Sequence, residues 1–328
     1  EELAEENDID YVLTAHQADD ALETFLINMS RGTGIRGLAG IPHRQGRILR
    51  PLLIFSRAQI LDYARENNIN WCEDSSNKEV YYLRNKIRHE LVPKLKELHP
   101  AFLENFKTTQ SHLRASVSLL DHQVKELKST LFVKENDHWK IPIESINKMR
   151  PKAHYLYELF REYGFSEWDN VLDLLQASSG KELTSKTHRL IKDRDHLLLA
   201  GKRELSPMNF EFDLQTGEIL VPVTLKIEQI NSMGECSNSI LYVDKETLNH
   251  RLEIRKWKKG DYFYPLGMKG RKLVSKYFKD EKMNALEKEA QWLLFSGGRL
   301  VWIIGRRADD RFKITPSTKK IFKFSLIR

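Results

Sequence analysis

A short apolar stretch that leads directly into an amphipathic helix, near the start of the chain, constrains the fold most. Tyr11–Ala15 has the pattern of a short buried strand, and from Ala18 to Gly32 apolar residues recur at helical spacing. Leu49–Leu53 and Arg57–Asn67 repeat the order of strand and then helix. This alternation is typical of α/β domains with a parallel sheet. Two such units cannot complete a sheet, so we expect a further part of this domain to precede the given sequence.

Prolines, loops and changes of composition divide the rest of the chain. The 328 residues are enough for two or three domains, each with its own core. The Pro93–Pro100 stretch indicates the end of the first domain, which we place at residues 1–98. A mainly helical domain is expected over 99–203, a connector with strands over 204–250, and a basic domain over 251–328. Within the second domain the pattern predicts helices and a hairpin at Phe102–Leu131, Lys152–Tyr163, Glu167–Ala177 and Arg189–Leu199.

Positive charge is concentrated in the last quarter of the chain. Residues 1–100 and 101–250 each carry a net charge of −3, whereas residues 251–328 carry +13. Aromatic residues lie between the basic ones in this last segment: Trp257, Tyr262, Phe263, Tyr264, Tyr277, Phe278, Trp292 and Trp302. Basic residues interleaved with aromatic ones favour a folded domain that binds a polyanion, and nucleic acid is the partner that this pattern favours.

Other features exclude several classes of protein. The longest apolar runs, such as Leu300–Ile304, are far shorter than the roughly 20 residues of a membrane helix, and no signal-peptide pattern is present. Cys72 and Cys236 are too few for a disulfide framework or a four-thiolate metal site. The motifs of zinc hydrolases, dithiol enzymes and serine hydrolases do not occur. We therefore expect a cytoplasmic protein without a membrane segment and without a metal held by its own residues.

The densest group of candidate catalytic residues lies where the first strand passes into its helix. Asp20 and Glu23 are three residues apart and share a helix face, where they could hold an ammonium group or Mg²⁺. Acids in the first turn of a helix also cap it and interact favourably with the positive end of its dipole, so a purely structural role stays open. Arg84 and Arg88, four residues apart on a later helix, are spaced to clamp a phosphate, although solvated arginines have the same spacing.

A glycine-rich segment, Arg31–Gly37, matches the dinucleotide-binding pattern by letter only. Its glycines follow a helix, whereas that pattern requires a preceding strand. We expect instead a loop that approaches a substrate closely, with Arg31 and Arg36 available to phosphates.

Taken together, these clusters resemble the tRNA(Ile)-lysidine synthetase family, which is similar to the PP-loop ATP pyrophosphatases. The matching motifs follow the family's order over nearly the whole chain. The N-terminal part of the pattern comprises Thr14-Ala15-His16, Asp19-Asp20, Glu23-Thr24, Arg31-Gly32, Gly34, Gly37-Leu38, Arg50-Pro51-Leu52, Trp71, Asp74, Ser76-Asn77, Arg84-Asn85, Ile87-Arg88 and Pro93. The C-terminal part comprises Trp257, Gly260-Asp261, Pro265-Leu266-Gly267-Met268, Lys272-Leu273, Asp280, Trp302, Gly305 and Asp310-Arg311.

The resemblance implies an α/β fold class: a partial Rossmann-like PP-loop domain, a mainly helical domain that contacts tRNA, and a small basic α+β C-terminal domain that binds tRNA. It also implies a two-step ligase reaction. ATP adenylates the C2 oxygen of the wobble cytidine in the CAU anticodon of tRNA(Ile), and the ε-amine of free lysine then displaces AMP. ATP is thus a substrate, Mg²⁺ is expected with it, and a homodimer is left open.

The resemblance also assigns roles to residues. Asp20 and Glu23 would hold the lysine, and Arg88 would stabilise negative charge on the reacting phosphate or cytidine; these three are the catalytic candidates. The nucleotide and cytidine pocket would be formed by His16, Arg31, Gly32, Gly34 and Arg84. Contacts to tRNA are expected from basic residues around predicted turns: Lys256, Lys258, Lys259, Lys269, Arg271, Lys272, Arg306 and Arg307.

Two departures from the family pattern matter. Ala21 stands where a polar residue is common in the family, and the Ser-Gly-Gly-x-Asp-Ser phosphate loop does not occur. We therefore expect the chain by itself to be inactive toward ATP, although the full-length protein is expected to be an enzyme. One alternative is a non-catalytic tRNA-binding protein on the same scaffold. A second is a PP-loop tRNA 2-thiolase, although Cys72 and Cys236 lie too far apart to resemble its paired cysteines.

Overall fold

The computed structural model describes residues 6–71, 83–202 and 209–327. The motif residues Cys72, Asp74, Ser76 and Asn77 lie outside these ranges. The chain forms two compact units, Glu1–Ser129 and Thr130–Arg328, which are described separately. Among the described residues, no helix combines the length and apolar character needed to cross a membrane.

The first unit combines a small sheet with helices. Strand β1 pairs in parallel with β3, and β2 pairs with β3 in antiparallel orientation. The strands are β1 Val12–Leu13, β2 Arg44–Gln45 and β3 Ile48–Leu49. The helices are α1 Ala18–Ser30, α2 Ile35–Leu38, α3 Arg57–Glu66, α4 Leu83–Lys86, α5 Val92–Glu97 and α6 Phe102–Leu131, with a 3₁₀ turn at Pro51–Ile54 and a π-helical turn at Ile87–Leu91 between α4 and α5.

Helix α1 anchors the core of this unit because its apolar residues recur at helical spacing. Ala21, Leu22 and Leu26 pack against residues from the 3₁₀ turn, the π-helical turn and α5. The Phe25 ring meets the Phe106 ring edge-on, with 5.3 Å between centroids. This packing brings the π-helical turn against the buried face of α1, and the π-helical turn carries Arg88.

The sequence predictions for this unit are confirmed for helices and partly wrong for strands. Helices were expected from Ala18, over Arg57–Asn67 and over Phe102–Leu131, and α1, α3 and α6 occupy these positions. The first strand is not buried, since Val12 and Leu13 are 40% and 66% exposed. The predicted strand at Leu49–Leu53 ends at Leu49, because Pro51 lacks an amide donor and starts a 3₁₀ turn instead.

The first part of the second unit is built around a five-stranded antiparallel sheet in the order β4-β5-β8-β7-β6. Its strands are β4 Val133–Glu135, β5 His138–Pro142, β6 Glu182–Thr184, β7 His188–Asp193 and β8 His196–Gly201. Its helices are α7 Ile143–Lys148, α8 Lys152–Phe160 and α9 Trp168–Leu174. The predicted hairpin is present as β7 and β8, and its turn contains Arg194 at a positive φ of 48°. The other three strands were not predicted.

The last part of the second unit contains two four-stranded sheets in the orders β10-β11-β18-β12 and β17-β16-β13-β9. These strands are β9 Phe210–Asp213, β10 Glu218–Ile219, β11 Leu225–Ile230, β12 Ile240–Asp244, β13 Arg251–Lys256, β16 Trp292–Ser296, β17 Arg299–Ile303 and β18 Ile321–Leu326. A hairpin and two helices complete it: β14 Tyr262–Phe263, β15 Lys272–Leu273, α10 Val274–Asp280 and α11 Ala285–Ala290.

One apolar core joins the two four-stranded sheets. Leu225 and Phe324 from one sheet pack together with Ile254, Leu294 and Trp302 from the other. Trp302 is 1% exposed and therefore belongs to the core. Residues 209–250, expected to form a connector with strands, supply strands to both sheets, so this segment and the basic segment fold around the same core.

Candidate functional site

The start of α1 places Asp20 at the centre of an ion-pair cluster. The Gln17 amide donates a hydrogen bond to Asp20 Oδ2 at 3.0 Å, which closes a capping box at the helix terminus. The capping role that the sequence left open is therefore real, but it occupies only one carboxylate oxygen. Asp20 Oδ1 accepts from Arg84 Nη2 at 3.2 Å and from Arg88 Nη2 at 3.3 Å. The same carboxylate caps the helix and binds two guanidinium groups.

Glu23 lies one turn further along α1 and is 2% exposed. Its Oε1 accepts from Arg88 Nε at 2.6 Å, and its Oε2 accepts from Arg88 Nη2 at 3.0 Å and from Arg84 Nε at 2.9 Å. Parallel bonds of this kind fix both distance and orientation of a guanidinium. The hydrogen bond to Glu23 raises the pKa of Arg88 above its usual range. The sequence spacing indicated two pairs, Asp20 with Glu23 and Arg84 with Arg88. In the structure these pairs meet in one four-residue cluster.

Asp19, which no sequence argument assigned a role, holds the surrounding elements in place. It is buried, and its carboxylate accepts from the Arg57 amide at 2.8 Å and from Lys96 Nζ. Arg57 begins α3 and Lys96 lies on α5, so one carboxylate links three helices. The pair Asp19-Asp20 was visible in the sequence, but a partner 77 residues away was not.

The remaining candidate pocket residues are divided between the two ends of α1. His16 precedes the helix, and its Nδ1 lies 2.9 Å from Thr14 Oγ1. Arg31, Gly32 and Gly34 follow the other end of the helix, and Arg31 is exposed. A rise of 1.5 Å per residue separates Asp20 from Arg31 by about 16 Å along the helix axis. The structure thus brings Arg84 to the acidic pair but leaves Arg31, Gly32 and Gly34 at a distance.

The glycine-rich loop after α1 is held by donors that sequence reasoning missed. Asn28 Nδ2 donates to the Gly37 carbonyl at 2.9 Å, and Arg114 on α6 donates to the carbonyls of Ala39 and Ile41 at 3.1 and 3.0 Å. Gly37 is needed for this packing, since a Cβ there would lie 2.0 Å from Thr33 Oγ1. The loop backbone is fixed at several points, as a loop that approaches a substrate requires.

The eight basic residues proposed for tRNA differ in their surroundings. Lys258, Lys259 and Lys269 are exposed, and none has a carboxylate partner within the part of the chain that the structure describes. Arg271 lies 5.4 Å from the centre of the Tyr262 ring, and Lys272 pairs with Asp280 at 2.7 Å. The three remaining residues hydrogen-bond to the protein's own oxygens: Lys256 Nζ to the Ala290 carbonyl, Arg306 Nε to Gln291 Oε1 and Arg307 Nη2 to the Leu266 carbonyl, at 2.6, 3.0 and 2.6 Å.

Lys256 is half-buried, and this burial affects its ionisation. Burial lowers its pKa to about 8, although the negative charge of Glu289 opposes the shift. Its Nζ also lies 3.7 Å from the centre of the Trp292 ring, a contact that favours the charged form. Lys256 therefore makes more contacts within the protein than the exposed Lys258, Lys259 and Lys269 do.

Three family models match successive parts of the chain. They are described as a PP-loop domain over residues 1–95, a TilS substrate binding domain over 134–203 and a TilS substrate C-terminal domain over 252–325. This order of domains, together with the relatives described next, defines the class of the protein as a carbon–nitrogen ligase with an ATP-binding PP-loop domain.

Curated relatives identify the family. The chain is 37% identical to a tRNA(Ile)-lysidine synthase of Parabacteroides distasonis over 94% of this chain and 71% of that protein. A tRNA(Ile)-lysidine synthase of Bacteroides thetaiotaomicron is 33% identical over 100% of this chain and 75% of that protein. The chain belongs to the tRNA(Ile)-lysidine synthase family.

A solved structure titled "Crystal structure of TILS C-terminal domain" covers 37% of this chain and 99% of that one, with 16% identity and a TM-score of 0.33.

Proposed function

We propose that the protein converts the wobble cytidine of tRNA(Ile) with a CAU anticodon into lysidine. In the first step the cytidine C2 oxygen attacks the α-phosphate of ATP, and pyrophosphate leaves. In the second step the lysine ε-amine forms a bond to C2, the C2–O bond breaks, AMP leaves and the amine loses a proton. The family membership supports the ligase class, and the ion-pair cluster on α1 is the observation that carries the assignment of the chemistry to residues.

Asp20 and Glu23 would supply the negative charge that holds the lysine substrate. Asp20 is the better candidate for direct contact, because its side chain is 15% exposed and both its arginine contacts exceed 3.1 Å. Glu23 is almost fully buried and accepts from both arginines, so it would act through its charge and by orienting Arg88. Since the cluster balances two carboxylates with two guanidinium groups, it suits an amino acid that carries both an ammonium and a carboxylate.

Arg88 would stabilise the negative charge that develops on the phosphate and on the cytidine C2 oxygen. The Arg88 guanidinium is already oriented by Glu23, so little reorganisation is needed during the reaction. His16 and Arg84, near the same end of α1, would line the nucleotide and cytidine pocket. Arg31, Gly32 and Gly34 would contact a more distant part of the same substrate, such as the tRNA backbone beside the cytidine.

Mg²⁺ would enter with the phosphates of ATP. In the described ranges, no group of three or more His, Cys, Asp or Glu side chains is arranged to hold a metal ion. Phosphate oxygens of ATP and several water molecules would be ligands of the ion, as is usual for Mg²⁺. A homodimer stays a prediction, which analytical ultracentrifugation would test.

The test compares Arg88→Lys with Arg65→Lys in the protein that carries this chain. Arg65 pairs with Asp62 on the exposed face of α3, so Arg65→Lys controls for the loss of a guanidinium. Arg88→Lys keeps the positive charge but loses the planar guanidinium with its paired N–H donors. We expect lysidine formation to fall by about 10²–10³-fold, as for the loss of one oriented donor to a developing oxyanion. The measurement is incorporation of labelled lysine into tRNA(Ile).

Full activity of Arg88→Lys would contradict the role given to Arg88. A wild-type protein that binds tRNA(Ile) but forms no ATP-dependent product with lysine would favour the non-catalytic tRNA-binding protein. Transfer of sulfur instead of lysine would favour the thiolase.

A further inference from the structure

Two adjoining cavities lie in the last part of the second unit. One has a volume of about 650 Å³ and the other about 360 Å³. Asn238, Arg306 and Arg307 line both cavities and so form the boundary between them. Both volumes lie in the range of sites for small organic ligands. Nothing in the reaction described above uses this space.

The larger cavity is polar and carries cations whose charge is not neutralised. Arg306 and Arg307 have no carboxylate within 4 Å in the described part of the chain, although each makes one hydrogen bond to a neutral oxygen. Lys272 also lines this cavity, but it pairs with Asp280 at 2.7 Å. Two guanidinium groups therefore retain N–H donors beside the cavity, and a phosphate is the anion that such donors bind best.

The acidic groups around the larger cavity limit the charge of its ligand. Glu281 is part of the lining, and Asp280 lies next to it in sequence and pairs with Lys272. Three cations therefore face two carboxylates, which leaves an excess of one positive charge. An excess of this size suits one phosphate group and disfavours a triphosphate.

The smaller cavity has a mostly apolar lining. Its walls include Met233, Ile240, Leu266, Trp302 and Ile314. The flat face of an aromatic heterocycle is suited to such walls, whereas a free phosphate ion gains nothing from them. The two cavities together thus offer a charged site and an apolar site, joined at Arg306 and Arg307.

We propose that these cavities bind one unpaired nucleotide of an RNA chain, with its phosphate at Arg306 and Arg307 and its base in the apolar cavity. This inference deepens the proposed function, since it rests on tRNA being the substrate. RNA is favoured over a free nucleotide because the loop directly before Lys272, which lines the polar cavity, carries the exposed Lys269 and Arg271. These cations would continue the contact along the RNA backbone.

The experiment titrates the protein with CMP and with inorganic phosphate by isothermal calorimetry, and then competes bound CMP with tRNA(Ile). ATP and AMP are left out because the proposed reaction binds them in the PP-loop domain. We expect CMP to bind more tightly than inorganic phosphate, and tRNA to displace it. The double variant Arg306→Gln, Arg307→Gln should weaken mononucleotide binding by about tenfold or more, because charge-assisted hydrogen bonds are lost. Lys319→Gln, Lys320→Gln is the matched control, since it removes two exposed cations outside both cavities.

A second variant guards against misfolding of the double variant. Ser237 is exposed and lines only the smaller of the two cavities, so Ser237→Trp should fill the base site without removing a cation. We expect it to abolish the preference for mononucleotide over inorganic phosphate while the melting temperature stays unchanged. Equal binding of both probes by the wild type, or no effect of either variant, would overturn the proposal.

Three further outcomes separate this proposal from the function itself. Mononucleotide binding that tRNA does not displace would overturn the assignment to RNA and indicate a free nucleotide as ligand. Lysidine formation by a protein that binds no mononucleotide would overturn the cavity proposal and leave the proposed function intact. Displaceable mononucleotide binding without any lysidine formation would support the cavity proposal and contradict the function.

Discussion

Asp20 and Glu23 lie one turn apart on α1, yet they differ in solvent exposure: the side chain of Asp20 is 15% exposed and that of Glu23 is 2% exposed. Glu23 has both oxygens bonded to arginines, whereas Asp20 divides its oxygens between the Gln17 amide and two longer arginine contacts. This difference separates two roles that the sequence spacing could not separate. Under the proposed function, Asp20 would exchange an arginine for the ammonium group of the lysine substrate, and Glu23 would keep Arg88 oriented.

Asp20→Asn tests this distinction. Asparagine can still accept the hydrogen bond from the Gln17 amide, so the helix cap is preserved and only the charge is lost. We expect the concentration of lysine needed for half-maximal lysidine formation to rise by roughly 10- to 150-fold, as for a lost charge-assisted contact. The ATP requirement should change little. Asp62→Asn, at an exposed position of α3, is the control, and a rise in the ATP requirement instead would indicate a Mg²⁺ role for Asp20.

Lys256 provides a test of pH dependence. Its pKa in the folded protein is lowered from 10.5 to about 8 by burial, so the unfolded chain keeps the proton to higher pH than the folded one. The contribution of Lys256 to stability therefore becomes more favourable as pH rises from about 8 to 10.5. In an NMR titration of the lysine ε-carbons, we expect one signal to shift with a midpoint near pH 8. This signal should be absent from the spectrum of Lys256→Met. A titration without any such early signal would contradict this environment.

At the scale of helices and strands, local patterns were predictable and distant pairings were not. Both ends of the 30-residue helix α6 were predicted, because a 3.6-residue repeat that follows a proline-bounded segment is a local signal. Strands β4 and β6 were not predicted, since a short strand is defined by its partners. The meeting of Arg84 and Arg88 with the acidic pair spans 61 to 68 residues of sequence, which no periodicity reveals. Resemblance to a family indicated these residues, but not their contacts.

Arg189 joins three elements within the second unit. From β7 it donates to Glu182 on β6 at 2.6 Å and to Glu289 on α11 at 2.7 and 2.9 Å. Arg189→Gln should leave both carboxylates without their shared cation. We therefore expect the free energy of local opening of Ala285–Ala290 to fall by about 1–3 kcal/mol. Amide hydrogen exchange measures this, with Lys186→Gln as an exposed control. Unchanged exchange in α11 would show that other contacts hold this helix.

At the scale of the whole molecule, the excess of positive charge in residues 251–328 belongs to a domain that also needs residues 209–250. Strand β18 pairs with β11 and β12, and β13 pairs with β9. Deleting residues 251–328 would therefore leave β9 and β12 without a partner strand, and β11 would keep only β10. A deletion would therefore test folding as well as tRNA binding. Exposed lysines outside the core are the better choice for variants.

The triple variant Lys258→Gln, Lys259→Gln, Lys269→Gln tests whether this surface contacts the tRNA backbone. Each phosphate contact that is lost should flatten the slope of log affinity against log salt concentration by about 0.7–0.9. If all three lysines contact phosphates, the slope should become shallower by about 2 to 3 units. Fluorescence titrations of tRNA(Ile) at several salt concentrations measure the slope, and Lys319→Gln, Lys320→Gln controls for net charge. Equal slopes for the wild type and the triple variant would mean that these lysines face solvent, and the tRNA-binding surface would then have to lie on another part of the chain.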